Sequence, residues 1–222
     1  MTDTEAATPG ADSAAGKVIR HAGADRAFHW VTAACVLTLM ATAFLPILGL
    51  KFTWVDIHWV TGLVLIAAVL FHIFRVLFKQ GFRAMWIGGK DFGDAAAIAR
   101  ATLRRDAGGY PRPGKYSFAQ KLIHHAFALV VLTAAATGGA MLLRIDTPWW
   151  KRNPYLLADS TWGVVYVLHG LAALILITMV MLHIYFALRP EKLLFTRAML
   201  RGWITRAEYT EHHDPQRWQV ER

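Results

Sequence analysis

Four long runs without a single Asp, Glu, Lys or Arg dominate the pattern of apolar and polar positions: Phe28 to Leu50, His58 to Phe74, Leu122 to Leu143 and Thr161 to Leu188. At 1.5 Å of rise per residue, each is long enough to cross about 30 Å of hydrocarbon as a helix. These runs, spans 1 to 4, predict an all-α membrane protein built as a four-transmembrane-helix bundle. Trp30, Trp54, Trp59, Trp149, Trp150 and Trp162 fall near the span ends, where an amphipathic ring suits the headgroup layer. Span 1 is too long for the apolar core of a signal peptide and has no convincing cleavage site after it, so it reads as an anchor.

The polar stretches divide the remainder. Residues 1–16, small and polar without apolar periodicity, read as a flexible tail. Residues 17–190 read as the transmembrane domain with one long loop over 79–121, and residues 191–222 as a basic C-terminal tail. Within the loop, Asp91 to Asp106 reads as a short basic helix with Ile98 and Leu103 toward one side, suited to an anionic lipid surface. Gly108, Gly109, Pro111, Pro113 and Gly114 then break the chain before span 3. There is no internal repeat and no Walker, dinucleotide-binding or serine-hydrolase motif.

Composition strengthens this picture: 55% of the 222 residues are apolar and 18% charged, a membrane balance with no room for a second large domain. The net charge of +9 would suit nucleic acid, but the basic residues flank the apolar spans, so topology accounts for them and no nucleic-acid partner is expected. Placing both termini and the loop 79–121 in the cytoplasm puts about 20 of the 24 Lys and Arg there, leaving Lys51, Arg144, Lys151 and Arg152 outside. The single cysteine, Cys35, supports neither an intrachain disulfide nor a thiolate metal cluster. Redox chemistry on this chain therefore needs haem or a partner.

Histidine is the chief ionisable residue of the spans: His29, His58, His72, His124, His125, His169 and His183. Ionisable groups at membrane depth are costly and mark functional sites, although one histidine alone is as easily a hydrogen-bonding partner between helices. His169 and His183 are 14 residues apart on span 4, hence about 40° apart around it and roughly 21 Å apart along it. One helix thus offers an imidazole at each of two depths, which suits two stacked haems, each taking its second axial histidine from a facing helix. His58 lies at the outer depth. Both His29 and His72 reach the inner one, so spans 2 and 4 would suffice for all four ligands if His72 were used. Gly62, one turn beyond His58, and Gly170, next to His169, leave space for a flat ring, as they equally would for close helix packing.

Several stretches in order resemble the cytochrome b (gamma) subunit of respiratory formate dehydrogenase. They are Asp25-Arg26-Ala27-Phe28-His29-Trp30, Ile57-His58, Gly114-Lys115-Tyr116-Ser117-Phe118-Ala119-Gln120-Lys121, Leu168-His169-Gly170 and Leu182-His183-Ile184-Tyr185. Met199-Leu200-Arg201-Gly202-Trp203 and His212-His213-Asp214-Pro215-Gln216-Arg217-Trp218 follow in the tail. The resemblance covers essentially everything after residue 17. It implies a diheme anchor in the bacterial inner membrane, with two haem b groups enclosed by the four helices. Electrons would pass from an iron–sulfur (beta) subunit, fed by a molybdenum or tungsten catalytic (alpha) subunit, to menaquinone or ubiquinone. A higher oligomer of that complex is compatible with it. Carried over residue by residue, the inner haem falls to His29 and His183, the outer haem to His58 and His169. The family's quinone segment holds an Asn where this chain has Ser117, a shorter hydrogen-bonding group, which brings Gln120 forward as a second quinone contact. His212 and His213, in a polar tail, are expected to be exposed or partner-binding and not metal ligands.

Three competing functions remain at the level of sequence. The same scaffold would serve a hydrogenase or a thiosulfate or polysulfide reductase, or act alone as a quinone-linked cytochrome b. A haem-free transporter with histidine proton relays is the third, but the paired, Gly/Pro-interrupted spans of such folds are not found here.

Overall fold

The computed structural model describes residues 16–80, 82–106 and 110–220. Apart from Gly16, the tail read over 1–16 lies outside the described residues, as do Gly108 and Gly109. The described residues form seven α-helices and one two-stranded sheet. They separate into two compact units: one of the described residues within Met1–Arg26, Ile87–Phe118 and Pro190–Arg222, the other of those within Ala27–Trp86 and Ala119–Arg189.

The second unit is the four-helix bundle. It consists of α1 (Gly23–Phe44), α2 (Trp54–Arg75), α4 (Phe118–Met141) and α5 (Asp159–Leu188), each long and apolar enough to cross a membrane. Span 1 ends earlier than its apolar run, at Phe44 and not Leu50. The reason is Pro46, which lacks an N–H and disfavours the helical conformation at Leu45, followed by Gly49 in the left-handed region at φ +90. Much of the outer surface is bare hydrocarbon: Leu70, Phe71 and Phe74 on α2, Leu129 on α4, Val167 and Leu174 on α5 are all exposed. That is the arrangement a lipid solvent stabilises and water penalises. Inside, Cys35 and Val36 of α1, Leu65 of α2, Val131 of α4 and Leu176 of α5 pack together, joined by Leu39, Val69, Phe127 and Val180.

Tryptophan placement differs from expectation at one position. Trp30, Trp54 and Trp149 are exposed, as interfacial rings should be, but Trp162 is fully buried. Its indole Nε1–H donates to the Pro154 carbonyl at 3.0 Å, and the Arg144 guanidinium lies 5.2 Å over its ring. It closes the α4–α5 connection and does not float at the headgroups.

The first unit gathers loop and tail into a core of its own. Strand β1 (Lys17–Ile19) pairs antiparallel with β2 (Trp203–Thr205), Val18 opposite Ile204. Val18, Ile204, Ala198 of α6 (Leu193–Arg201) and Tyr209 of α7 (Arg206–His212) form the buried cluster. Helix α6 stops at Gly202, whose φ of +92 suits glycine. An added Cβ there would also meet the His21 carbonyl at 3.0 Å. Helix α7 opens on a capping box, Thr205 with Glu208. The basic loop segment is helical as anticipated, as α3 (Gly89–Arg104), with Leu103 exposed.

Candidate functional site

Each histidine level of the bundle brings two facing helices together. Near the start of α2, the His58 ring faces His169 of α5 with centroids 6.3 Å apart. Fourteen residues further along α5, His183 faces His29 of α1 at 6.2 Å. A first-row metal about 2 Å from each imidazole nitrogen, with the ring centre about 1 Å beyond, sets the two centroids roughly 6 Å apart. Both pairs meet that spacing. The residues present therefore fit a bis-imidazole haem at each level, and the apolar layer of Leu65, Val131 and Leu176 includes an α5 residue midway between the two α5 histidines.

The surroundings of His58 and His169 are specific. His58 Nδ1 lies 2.8 Å from the Thr42 hydroxyl of α1, and His169 Nδ1 lies 2.9 Å from the Thr137 hydroxyl of α4. A Cβ added at Gly138 would stand 3.0 Å from His169 Cε1, so the ring sits in the notch that this glycine leaves. At Gly62 and Gly170 an added Cβ meets nothing within 4 Å, leaving open space beside the ligand helices. Sequence reasoning named Gly62 and Gly170 but missed Thr42, Thr137 and Gly138. A threonine that bonds back into its own helix and a glycine in a membrane helix carry no signal until the facing helix is known.

His72 sits 14 residues after His58 on α2, at the level of His29 and His183. Its ring stacks on Phe28 at 4.1 Å, 8° from parallel, and meets His124 of α4 edge-on at 6.4 Å. Ring spacing thus admits His72 and His124 as well, but His29 is the ring that faces His183. His125 turns back on its own helix, its Nδ1–H donating to the Lys121 carbonyl at 2.8 Å. Ser117 immediately precedes α4, and Gln120 lies in its first turn.

Of the two tail histidines, His212 is exposed as expected and His213 is not. His213 is buried, not exposed, and lies against the equally buried Arg20. Arg20 donates from Nη1 to His213 Nε2 at 2.7 Å and from Nη2 to the Lys115 carbonyl at 2.9 Å. With Nε2 accepting, the ring proton is on Nδ1, which donates to the Gly114 carbonyl at 2.7 Å. Burial first, then the Arg20 charge, pushes His213 down to about 4, against the support of the Gly114 carbonyl. Burial lowers Arg20 to about 10, so it stays charged, with its guanidinium 4.9 Å over Phe195 and 5.5 Å over Trp218. Among the described residues, no group of three or more His, Cys, Asp or Glu side chains is placed to hold a metal ion.

Known proteins similar to this chain carry cytochrome b names. The family model of prokaryotic cytochrome b561 matches residues 20–202. The cytochrome b556(fdo) subunit of formate dehydrogenase from Escherichia coli K12 is 26% identical over 215 residues, covering 90% of this chain and 91% of the relative. The cytochrome b556 subunit of formate dehydrogenase from Haemophilus influenzae is 24% identical over 212 residues, covering 91% and 82%.

Proposed function

Because the chain belongs to the prokaryotic cytochrome b561 family, we propose that it is the diheme, membrane-anchoring cytochrome b subunit of a respiratory formate dehydrogenase. It takes electrons from an iron–sulfur (beta) subunit, supplied by a molybdenum or tungsten (alpha) subunit, and passes them through two b haems to a menaquinone or ubiquinone. The observation that carries the proposal is the pair of facing imidazoles at each of two levels, 6.3 Å apart at one and 6.2 Å at the other, sharing α5.

Bound between two imidazoles, a low-spin haem supplies one-electron transfer with no coordination position left for substrate. The chain's residues do the holding: His58 and His169 at the outer level, His29 and His183 at the inner. The packed apolar side chains between those levels keep water out, lowering the local dielectric and reinforcing the hydrogen bonds that His58 and His169 make. Ser117 and Gln120, on either side of the α4 N-terminus, are the quinone's hydrogen-bonding partners, a hydroxyl and an amide suited to a carbonyl oxygen. In this reading both termini and the loop 79–121 face the cytoplasm of the bacterial inner membrane. The positive loops favour that orientation.

The test is to purify the chain from membranes and measure its haem. Two b haems per chain, extractable into acid acetone because no Cys-x-x-Cys-His motif exists for covalent attachment, with larger iron–sulfur and molybdenum or tungsten subunits co-purifying, are the expected result. No haem in the pyridine haemochrome assay would overturn the reading. Two haems with a hydrogenase or sulfur-compound reductase in the same preparation would overturn only the choice of donor.

A further inference from the structure

Thr42 on α1 and Thr137 on α4 occupy matching positions. Each is nearly buried, at 3% and 8% exposure. Each hydroxyl bonds back into its own helix: Thr42 to the Thr38 and Leu39 carbonyls at 2.9 and 3.0 Å, Thr137 to the Thr133 and Ala134 carbonyls at 2.6 and 3.2 Å. Each oxygen then meets one histidine Nδ1, that of His58 and His169 respectively. A hydroxyl has one hydrogen and two lone pairs. Its hydrogen is directed to the backbone carbonyls, so the oxygen meets the ring as acceptor and the hydrogen between them belongs to Nδ1. Both rings are therefore held as the tautomer whose Nε2 carries a free lone pair.

We propose that Thr42 and Thr137 are paired positioning residues that orient His58 and His169 and make both imidazoles stronger electron donors, giving the haem between them the lower potential of the two. The proposal rests on the assignment of His58 and His169 as haem ligands. A hydrogen bond from the distal ring nitrogen raises the basicity of the coordinating one, which favours the ferric state. All four spans then build one site: α2 and α5 supply the ligands, α1 and α4 the acceptors. The other site is unequal to it, because His29 Nδ1 is buried with no hydrogen-bond partner. An imidazole without that support donates less, so its haem is the easier to reduce. Transfer from the His58–His169 level to the His29–His183 level runs downhill, in the direction the proposed function needs.

The experiment is a spectroscopic redox titration of the full complex with Thr42→Val, Thr137→Val, both together, and the two Thr→Ser variants. Each valine should raise the ferrous-to-ferric ratio of the low-potential haem several-fold at fixed ambient potential. The double variant should reach about tenfold, which is 59 mV for a one-electron couple. The electron paramagnetic resonance signal of that haem should shift while the other haem's transition and signal stay in place as an internal reference. Serine, which keeps the hydroxyl, should restore both. Unmoved transitions in the double variant with two haems retained would overturn the proposal, as would equal shifts in valine and serine variants, since packing and not the hydrogen bond would then be responsible. His58→Ala separates the two levels of inference: retention of both haems in that variant defeats the ligand assignment itself, whereas loss of one haem there with no effect of the valines defeats only the role of the threonines.

Discussion

At the scale of single residues, a histidine in an apolar bundle has few ways to be satisfied, and the described ones divide by how they are. His125 uses its own helix, His58 and His169 use threonines of neighbouring helices, and His29 has a buried nitrogen with no partner at all. His29 and His72 differ in what their rings meet: His29 faces His183, whereas His72 is stacked on Phe28 and meets His124 edge-on. His29→Ala is expected to remove one of two haems while His72→Ala leaves both, read by pyridine haemochrome against the amount of inserted chain; the reverse would move the inner site onto His72. His213 gives a pH dependence of opposite origin. Its value of about 4 in the folded chain, against about 6.5 unfolded, means the unfolded state takes up a proton first. Its unit keeps full stability above about pH 6.5 and loses up to about 3 kcal/mol as pH falls toward 4. The protection of residues 190–220 against hydrogen exchange in the full chain, corrected for the intrinsic rate at each pH, should fall between pH 7 and 5, and His213→Asn should flatten that response.

The four spans are legible at the scale of elements because lipid imposes a strict rule: about 20 apolar residues and no free charge. His58, His169 and His183, with either His29 or His72, stand out as ligand candidates because a polar residue breaking that rule is conspicuous and a spacing of 14 returns to nearly the same helix face, while the choice of His29 over His72 rests on the family resemblance. What escapes the sequence depends on partners far away in the chain. Three-residue strands such as Lys17–Ile19 and Trp203–Thr205 have no periodicity of their own and exist only as a pair. His213 looks like an exposed tail residue, and Arg20 carries no signal, until the Gly114 and Lys115 carbonyls are brought to them. Gly138 is one more membrane glycine until His169 is seen in its notch. The consequence for α4 is testable: Gly138→Val places carbon where the His169 ring lies, an overpacking that costs about 1–3 kcal/mol if the helices part or displaces the ring if they do not. Loss of the His58–His169 haem with the other retained is the expected result, and Gly138→Ala should show a weaker form of it. Unchanged occupancy and spectra in the valine variant would show that the notch does not hold the ring.

For the molecule as a whole, two histidine levels 14 residues and roughly 21 Å apart on α5 would, under the proposed function, carry electrons across most of the membrane's thickness. Conduction alone does not store energy; the direction of the two end reactions does. If the substrate is oxidised outside and the quinone is reduced at the cytoplasmic end, protons are released on one side and consumed on the other, and potential builds without a proton channel. That requires the quinone partners to be at the cytoplasmic end, where the proposed orientation puts the residues flanking the α4 N-terminus. A carbonyl held there by Ser117 and Gln120 can draw protons from the cytoplasm, whereas a quinone held deeper would need a buried proton path. Ser117→Ala alone should cost only about 1 kcal/mol, because water replaces a lost hydroxyl. Ser117→Leu with Gln120→Leu removes both hydrogen-bonding groups and fills the space that water would use. In the intact complex, formate should then still reduce both haems while quinone reduction stops. A normal rate of quinone reduction with two haems present would place the quinone elsewhere and direct attention to the α4–α5 connection around Trp149 to Asn153, at the opposite end of the electron path.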